Sequence, residues 1–191
     1  MKCVCLYTSP RKKGNSAALA ERFAQTVQNR GTEVQTFYLN ELNFKGCQAC
    51  FACKQEKDHC VLPDDLQQVL EAIRDSDCLV VASPIYFGDL CSQAKAFIDR
   101  SFSFLRPDFK TSSQPGRLTG NKHLVFILTQ GQPDEEVFKD VYPKYAQFLK
   151  WEGFGQTHLI RGCGLMAPDD ASKNQELLNQ VDMLAEEIVN G

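Results

Sequence analysis

Residues 77–83, Asp-Cys-Leu-Val-Val-Ala-Ser, form a near-continuous apolar run that stops at Pro84. A strand with so little polar alternation has to be covered on both faces, which is the situation of a central strand in a parallel sheet. The rest of the chain supplies what such a strand needs. Lys2–Thr8 reads as a first strand, followed by a helix from Ser16 to about Arg30. In that helix Ala20, Phe23, Ala24 and Val27 recur at helical spacing, and Gly31 is placed to end it. Glu33–Leu39 alternates as a second strand. Pro63-Asp64-Asp65 opens another helix, with Leu66, Val69, Leu70 and Ile73 as its apolar stripe.

Pro84–Asp89 is expected to break the third strand. A helix then runs from about Leu90 to Leu105, with Ala94, Phe97, Ile98 and Phe102 inward. Arg106–Asn121 reads as a surface loop, and Lys122–Thr129 as the fourth strand. After the turn Gln130-Gly131-Gln132-Pro133, a helix from Asp134 to about Glu152 is expected to kink or break at Pro143. Gln156–Arg161 is the fifth strand, and Ala171–Val189 the last helix. Five strand–helix units predict an α/β fold, a parallel sheet with helices on both faces joined by right-handed crossovers. Ligands of such sheets bind beyond the carboxyl ends of the strands. That rule selects the loops Thr8–Ser16, Pro84–Asp89 and Gln130–Pro133.

A chain of 191 residues suits one well-filled core, and a single domain over 1–191 is expected, with a cysteine-rich insertion at about 40–62. The net charge of -3, with Lys and Arg scattered apart from Arg11-Lys12-Lys13, argues against nucleic acid as a partner. No apolar run approaches the roughly 18–20 residues of a membrane span, and the N-terminal run is shorter than a secretory core of about 7–15 residues. A cytoplasmic protein is expected. Its nine cysteines are then free thiols rather than disulfides. Cys3, Cys5, Cys78, Cys91 and Cys163 stand singly in apolar segments, where a buried thiol behaves as a small hydrophobe.

The first loop, Thr8-Ser9-Pro10-Arg11-Lys12-Lys13-Gly14-Asn15-Ser16, is hydroxyl-rich and cationic and opens into a helix N-terminus, a suitable seat for a phosphate. The plainer alternative is a solvated basic turn with Asn15 or Ser16 as a helix cap. A nucleoside-triphosphate loop of the form G-x-x-x-x-G-K-[ST] is absent, as is G-x-G-x-x-G. The acidic cluster of a phosphoacceptor domain is missing, since Thr8 and Ser9 stand there. In Ser83-Pro84-Ile85-Tyr86-Phe87-Gly88, the proline stiffens the turn, the aromatics offer planar surface and the glycine allows close backbone approach. Either a flat ring rests there, or the loop simply plugs the top of the sheet.

Cys47, Cys50, Cys53 and Cys60 lie within fourteen residues. Three cysteines at successive x2 spacing plus a fourth suit the corners of a [4Fe–4S] cube. Zinc usually takes two separated C-x2-C knuckles, and empty or redox-active thiols are a third reading. Lys45, Lys54 and Lys57 would balance a cluster's negative charge or simply be solvated. His59, His123, His158 and Trp151 offer no catalytic role, the last three reading as structural residues.

T-S-P-R-x-x-G-N-S after the first strand, S-P-I-Y-F-G after the third and A-K-A-F-I-D-R on the next helix closely resemble the NADPH-dependent FMN reductase group of flavodoxin-like proteins. C-x2-C-x2-C-x6-C ahead of P-D-D resembles its iron–sulfur flavoprotein subfamily. The motifs cover about the first hundred residues. The resemblance implies a flavodoxin-like, doubly wound five-stranded sheet of order 2-1-3-4-5. It implies FMN with its phosphate on Ser9, Arg11, Asn15 and Ser16, and its ribityl chain and ring on Pro84, Ile85, Tyr86, Phe87 and Gly88. Thr129, Gln130 and Gly131 would meet the pyrimidine edge. Thr8 is a departure, since relatives often carry Gly there. Arg100 would serve a subunit interface or stand as a surface cation. Cys47, Cys50, Cys53 and Cys60 would ligate a [4Fe–4S] cluster.

Two functions follow. One is a carrier passing electrons between cluster and FMN. The other is an NAD(P)H-dependent reductase of FMN, quinones or other small acceptors, without a cluster. The partners implied are a redox protein, or NAD(P)H and an acceptor, in a homodimer or homotetramer. No protein acid or base is required, because the flavin holds the electrons.

Overall fold

The computed structural model describes residues 1–191. In chain order its elements are β1 (Lys2–Tyr7), α1 (Asn15–Asn29), β2 (Glu33–Tyr38), α2 (Leu66–Asp75), β3 (Cys78–Tyr86), β4 (Asp89–Leu90), α3 (Ser92–Ser101), β5 (Lys122–Thr129), α4 (Val141–Glu152), β6 (Phe154–Gly162), α5 (Asp170–Lys173) and α6 (Gln175–Asn190). The parallel ladder runs β2-β1-β3-β5-β6, which is the expected order 2-1-3-4-5 once the short strand β4 is set aside. Cys3 pairs with Val34 on one side and Cys78 on the other, so β1 and β3 are the inner strands at the point where the order reverses.

The period of two along the inner strands sorts side chains between two cores. Val4, Leu6, Leu79, Val81 and Phe126 face α2, α3 and α4, where Leu66, Val69, Ile73, Ala94, Phe97 and Leu149 are fully buried. Cys3, Cys5, Cys78, Val80 and Ile127 face the other way, against Phe23 and Val27 of α1 and Val181 and Ala185 of α6. These three thiols are core packing, as their apolar settings predict. Gly31 follows α1 with φ of 85°, the left-handed geometry that a helix-ending glycine supplies without strain.

Three expectations need correction. Pro84 does not break the third strand. β3 runs on to Tyr86, turns over the two-residue loop Phe87-Gly88 and pairs back with β4. Both loop residues have positive φ (53° and 86°), as a tight hairpin turn of this hand requires. Pro84 is tolerated because it lies beyond Ala82, the last β3 residue paired with β1, where that edge of the strand is open.

Pro143 neither kinks nor breaks a helix. α4 begins at Val141, placing Pro143 in the first turn, where its missing N–H has no intrahelical acceptor to lose. The last helix is two: α5 ends before Asn174, whose side chain accepts a bond from the Leu177 N–H and caps α6.

Candidate functional site

At the carboxyl ends of the inner strands, one small cavity is lined by Ser9, Arg11, Asn15, Ser16, Pro84, Ile85, Tyr86, Thr129, Gln130 and Gly131. Three loops separated by up to about 120 residues thus meet at one point, as the crossover rule requires. The cavity encloses about 80 Å³, well below the roughly 300–1,000 Å³ of ordinary ligand pockets. It has room for only one end of a cofactor-sized ligand. The remainder would lie over the hairpin, where Tyr86 and Phe87 are exposed. Phe87 and Gly88, on the turn, stand outside the enclosed part.

One wall of the cavity is built by the start of α1 and the loop before it. No side chain caps this helix, and Gly14 occupies the cap position in extended conformation. The first-turn N–H groups therefore have no side-chain cap, and Gly14, Asn15 and Ser16 line the cavity at the positive end of the helix dipole. Arg11 is exposed and forms no ion pair, whereas Lys12 is paired with Glu41. The Ser9 hydroxyl accepts a bond from the Arg11 N–H at 3.0 Å, which shapes the turn. Thr8 takes no part in the loop. Its hydroxyl donates to Ala82 O at 2.9 Å, inside the β1–β3 seam, so the side chain does not crowd the seat.

Two expected contacts are held from behind. The Asn15 amide donates to Ala167 O at 2.8 Å and accepts from the Ala171 N–H at 2.9 Å, tying α1 to the loop after β6. The Gln130 amide donates to Gln132 O at 2.9 Å, and its oxygen accepts from Arg161 at 2.8 Å. Leu165, Met166 and Pro168 also line the seat, and the exposed Met166 side chain lies over Gly131. The sequence reading missed this fourth loop. Its signal is the Gly/Pro-bearing stretch 162–168, which follows the fifth parallel strand and so occupies the same carboxyl edge.

A second site lies where α3 ends. Cys47, Cys50, Cys53 and Cys60 all line one cavity of about 120 Å³, together with Arg100, Phe102 and Ser103. Between the cysteines, Ala49 and Phe51 adopt left-handed φ of 51° and 57°, uncommon for residues with a side chain. These turns bring the successive cysteines of the C-x2-C-x2-C run to the wall of one cavity. The four surround the cavity without converging, since no three His, Cys, Asp or Glu side chains come together as ligands of one ion.

Two cations reach the cysteine sulfurs, one of them from the cavity wall. Arg100 Nε donates to Cys60 Sγ at 3.0 Å, and Lys54 Nζ lies 3.6 Å from Cys53 Sγ. The Ser103 hydroxyl is buried and without a protein partner. Lys54 is no solvated residue: its ammonium donates to Phe102 O and Leu105 O at 2.6 and 2.8 Å, and burial lowers its pKa.

Arg100 is neither a surface cation nor an exposed interface residue. Its side chain is fully buried, and its fork grips Asp64 through two bonds of 2.7 and 3.1 Å. Burial works against the Arg100 charge, but Asp64 and Cys60 together hold its pKa above the ordinary arginine value. The 106–121 stretch is also more than surface: Leu118 is buried, and Arg117 donates to Cys53 O and Ser103 O at 2.9 and 2.8 Å, stapling the cysteine loop to the end of α3.

The histidines stand aside from both sites. His59 pairs with Asp58, and His123 and His158 face each other across β5 and β6 at 3.2 Å. Trp151 packs edge-on against Phe148 on the surface and not in the core, both remaining partly exposed.

A doubly wound parallel sheet with a cavity at its switch point defines a flavodoxin-like α/β protein. The comparisons make this specific. The family model described as NADPH-dependent FMN reductase matches residues 1–135, and the chain belongs to that family. The iron–sulfur flavoprotein of Methanosarcina thermophila is 33% identical over 116 residues, 61% of this chain and 60% of that one. An iron–sulfur flavoprotein of Archaeoglobus fulgidus is 31% identical over 136 residues, 71% and 58% of the two chains. The names of these relatives support the iron–sulfur flavoprotein branch of the family, and the chain spans about six-tenths of their length.

Among solved structures, the FMN-dependent NADH-azoreductase of Bacillus anthracis in complex with FMN matches with a TM-score of 0.75 at 13% identity, over 99% of this chain and 100% of that one. The NAD(P)H:quinone oxidoreductase of Methanothermobacter marburgensis gives 0.73 at 18% identity, over 98% and 96%. At such identities the likeness concerns the fold. No helix is long and apolar enough to cross a membrane.

Proposed function

We propose that this chain is an FMN-dependent redox protein that also carries a [4Fe–4S] cluster on residues 47–60 and passes electrons between the two. The observation that carries the reading is the cysteine cavity. All four cysteines of the motif face one volume, with a guanidinium N–H already donating to one sulfur and an unpartnered buried hydroxyl on its wall. Thiolates with N–H and O–H donors around them fit a cluster's sulfur-rich, negatively charged surface. Sulfurs spread around a volume suit a cluster better than a lone zinc ion, whose thiolates lie about 2.3 Å from a common centre.

The anion seat fits the phosphate of FMN. Ser9, Arg11 and Ser16 would hold it with the free N–H groups of α1, while Asn15 supports them by fixing the neighbouring loop. Pro84, Ile85, Tyr86, Phe87 and Gly88 would carry the ribityl chain and ring, Thr129, Gln130 and Gly131 would face its polar edge, and Met166 would swing aside. When bound, FMN supplies hydride and single-electron chemistry and the cluster single-electron transfer. The chain's own part is binding, orientation and charge. A redox protein, or NAD(P)H with a small acceptor, would exchange electrons with it, in a homodimer or homotetramer that covers the exposed hairpin. The exposed thiols Cys47 and Cys50 suit a reducing, cytoplasmic setting.

Anaerobic purification tests the reading. Iron and sulfide should each be found at about four per chain, together with FMN, and iron should fall to background in Cys50→Ser while FMN is retained. FMN without iron, bleached rapidly by NADPH, would mean the clusterless reductase instead. A colourless protein that gains no FMN on reconstitution would defeat both.

A further inference from the structure

In the function proposed above, Arg100 enters only as a donor to one sulfur, and its buried partner Asp64 has no role. Arg100 sits on the last turn of α3, fully buried, 40 positions from Cys60 in sequence and 3.0 Å from its sulfur. Four bonds engage all three of its nitrogens: Nε to Cys60 Sγ, one terminal nitrogen to Lys45 O (2.8 Å) and Asp64 Oδ2 (2.7 Å), the other to Asp64 Oδ1 (3.1 Å). A planar guanidinium clamped at both terminal nitrogens has no freedom left at Nε. The N–H is therefore aimed at Cys60 before any centre is bound. Asp64 is itself fixed at the entrance to α2, where it accepts from the Leu66 N–H at 3.2 Å.

We propose that Arg100 is a potential-setting residue for the centre held by the 47–60 loop, with Asp64 as the counter-charge that trims its effect. The proposal rests on the cluster reading above. One-electron reduction adds one negative charge to the cluster, shared with its cysteine sulfurs. A cation and a directed N–H at Cys60 stabilise that extra charge more than they stabilise the oxidised form, which raises the reduction potential. Asp64 acts with the opposite sign. It neutralises part of the guanidinium charge, holding the potential lower than an unpaired arginine would. A lysine at position 100 would keep the charge without the fixed, directed Nε–H bond.

The test compares wild type, Arg100→Gln, Arg100→Lys and Asp64→Asn, all purified anaerobically. Iron per chain is measured first, and the cluster's midpoint potential is then followed by electron paramagnetic resonance during titration with dithionite. The potential should fall in Arg100→Gln, fall less in Arg100→Lys and rise in Asp64→Asn, while FMN content stays constant. Opposite signs for the two halves of one ion pair are what a merely structural role would not produce. Unmoved potentials in iron-loaded variants, or shifts of the same sign, overturn the proposal. If Arg100→Gln loses its iron, Arg100→Lys and Asp64→Asn decide by the same opposite-sign criterion. Loss of iron from all three variants makes the pair a folding element and also overturns it. A wild type without iron would defeat the cluster reading itself, which distinguishes the two failures.

Discussion

Glu152, at the last position of α4, shows how much one buried side chain can impose on a chain like this. Ser101 donates to its Oε1 at 2.7 Å, but Oε2 is buried with no partner. Burial pushes its pKa up to about 8, so the folded chain holds a proton at neutral pH. Unfolded, the same carboxyl titrates near about 4.3. Between those values the folded state binds the extra proton, so this group's contribution to stability is greatest below the unfolded pKa and is lost as pH rises through about 8. Glu152→Gln keeps the acceptor for Ser101 and removes the titration. It should match wild type at about pH 4 in guanidinium unfolding and exceed it at about pH 9 by a few kcal/mol, at about 1.4 kcal/mol per unit of displacement. Parallel stability–pH curves for the two proteins would refute the assignment. The sequence places Glu152 at a helix end and says nothing of its burial. Arg100 is similar: it follows Phe97 by three on the apolar face of α3, yet a long cation at such a spacing is usually a stem with a solvated head.

At the scale of elements, the strands and helices follow their apolar periods closely, and the departures come from residues whose meaning depends on what lies alongside. Pro84 reads as a strand breaker until the open edge of β3 beyond Ala82 is known. Pro143 reads as a kink until α4 is seen to start only two residues before it. The loop after β6 lines the cavity at the sheet's carboxyl edge because Asn15 ties it down through bonds to Leu165, Ala167 and Ala171. Removing those bonds in Asn15→Ala should cost about 1–3 kcal/mol and weaken FMN binding by loosening that wall. Chemical denaturation and titration of FMN fluorescence measure the two effects. Unchanged FMN affinity alongside lost stability would confine Asn15 to packing. α3 joins the two sites, beginning just after the hairpin and ending at the cysteine cavity, a span of about 15 Å for its ten residues.

At the scale of the whole molecule, the four loops that line the cavity are distant in sequence and meet only in the native state. FMN binding should therefore stabilise the chain, by about 2.7 kcal/mol when FMN is present at a hundred times its Kd. Arg11 is exposed and makes no ion pair, so Arg11→Ala should leave apo-protein stability unchanged. Loss of a charge-assisted bond to phosphate, worth about 1.5–3 kcal/mol, should lower FMN affinity roughly 10- to 100-fold. Thermal unfolding with and without FMN reads both effects, and equal stabilisation of wild type and Arg11→Ala would remove Arg11 from the phosphate seat.

What the sequence determined by itself is the order of strands and helices, the two faces of the sheet, the three edge loops and the four clustered cysteines. Those features are written in local, repeated patterns, so a misread residue or two does not change the outcome. Tertiary structure alone decided which polar groups meet: Arg100 with Asp64 and Cys60, Ser101 with Glu152, and Asn15 with the loop beyond β6. Each such meeting joins distant stretches through one directional bond of about 3 Å, and no period in the chain encodes it.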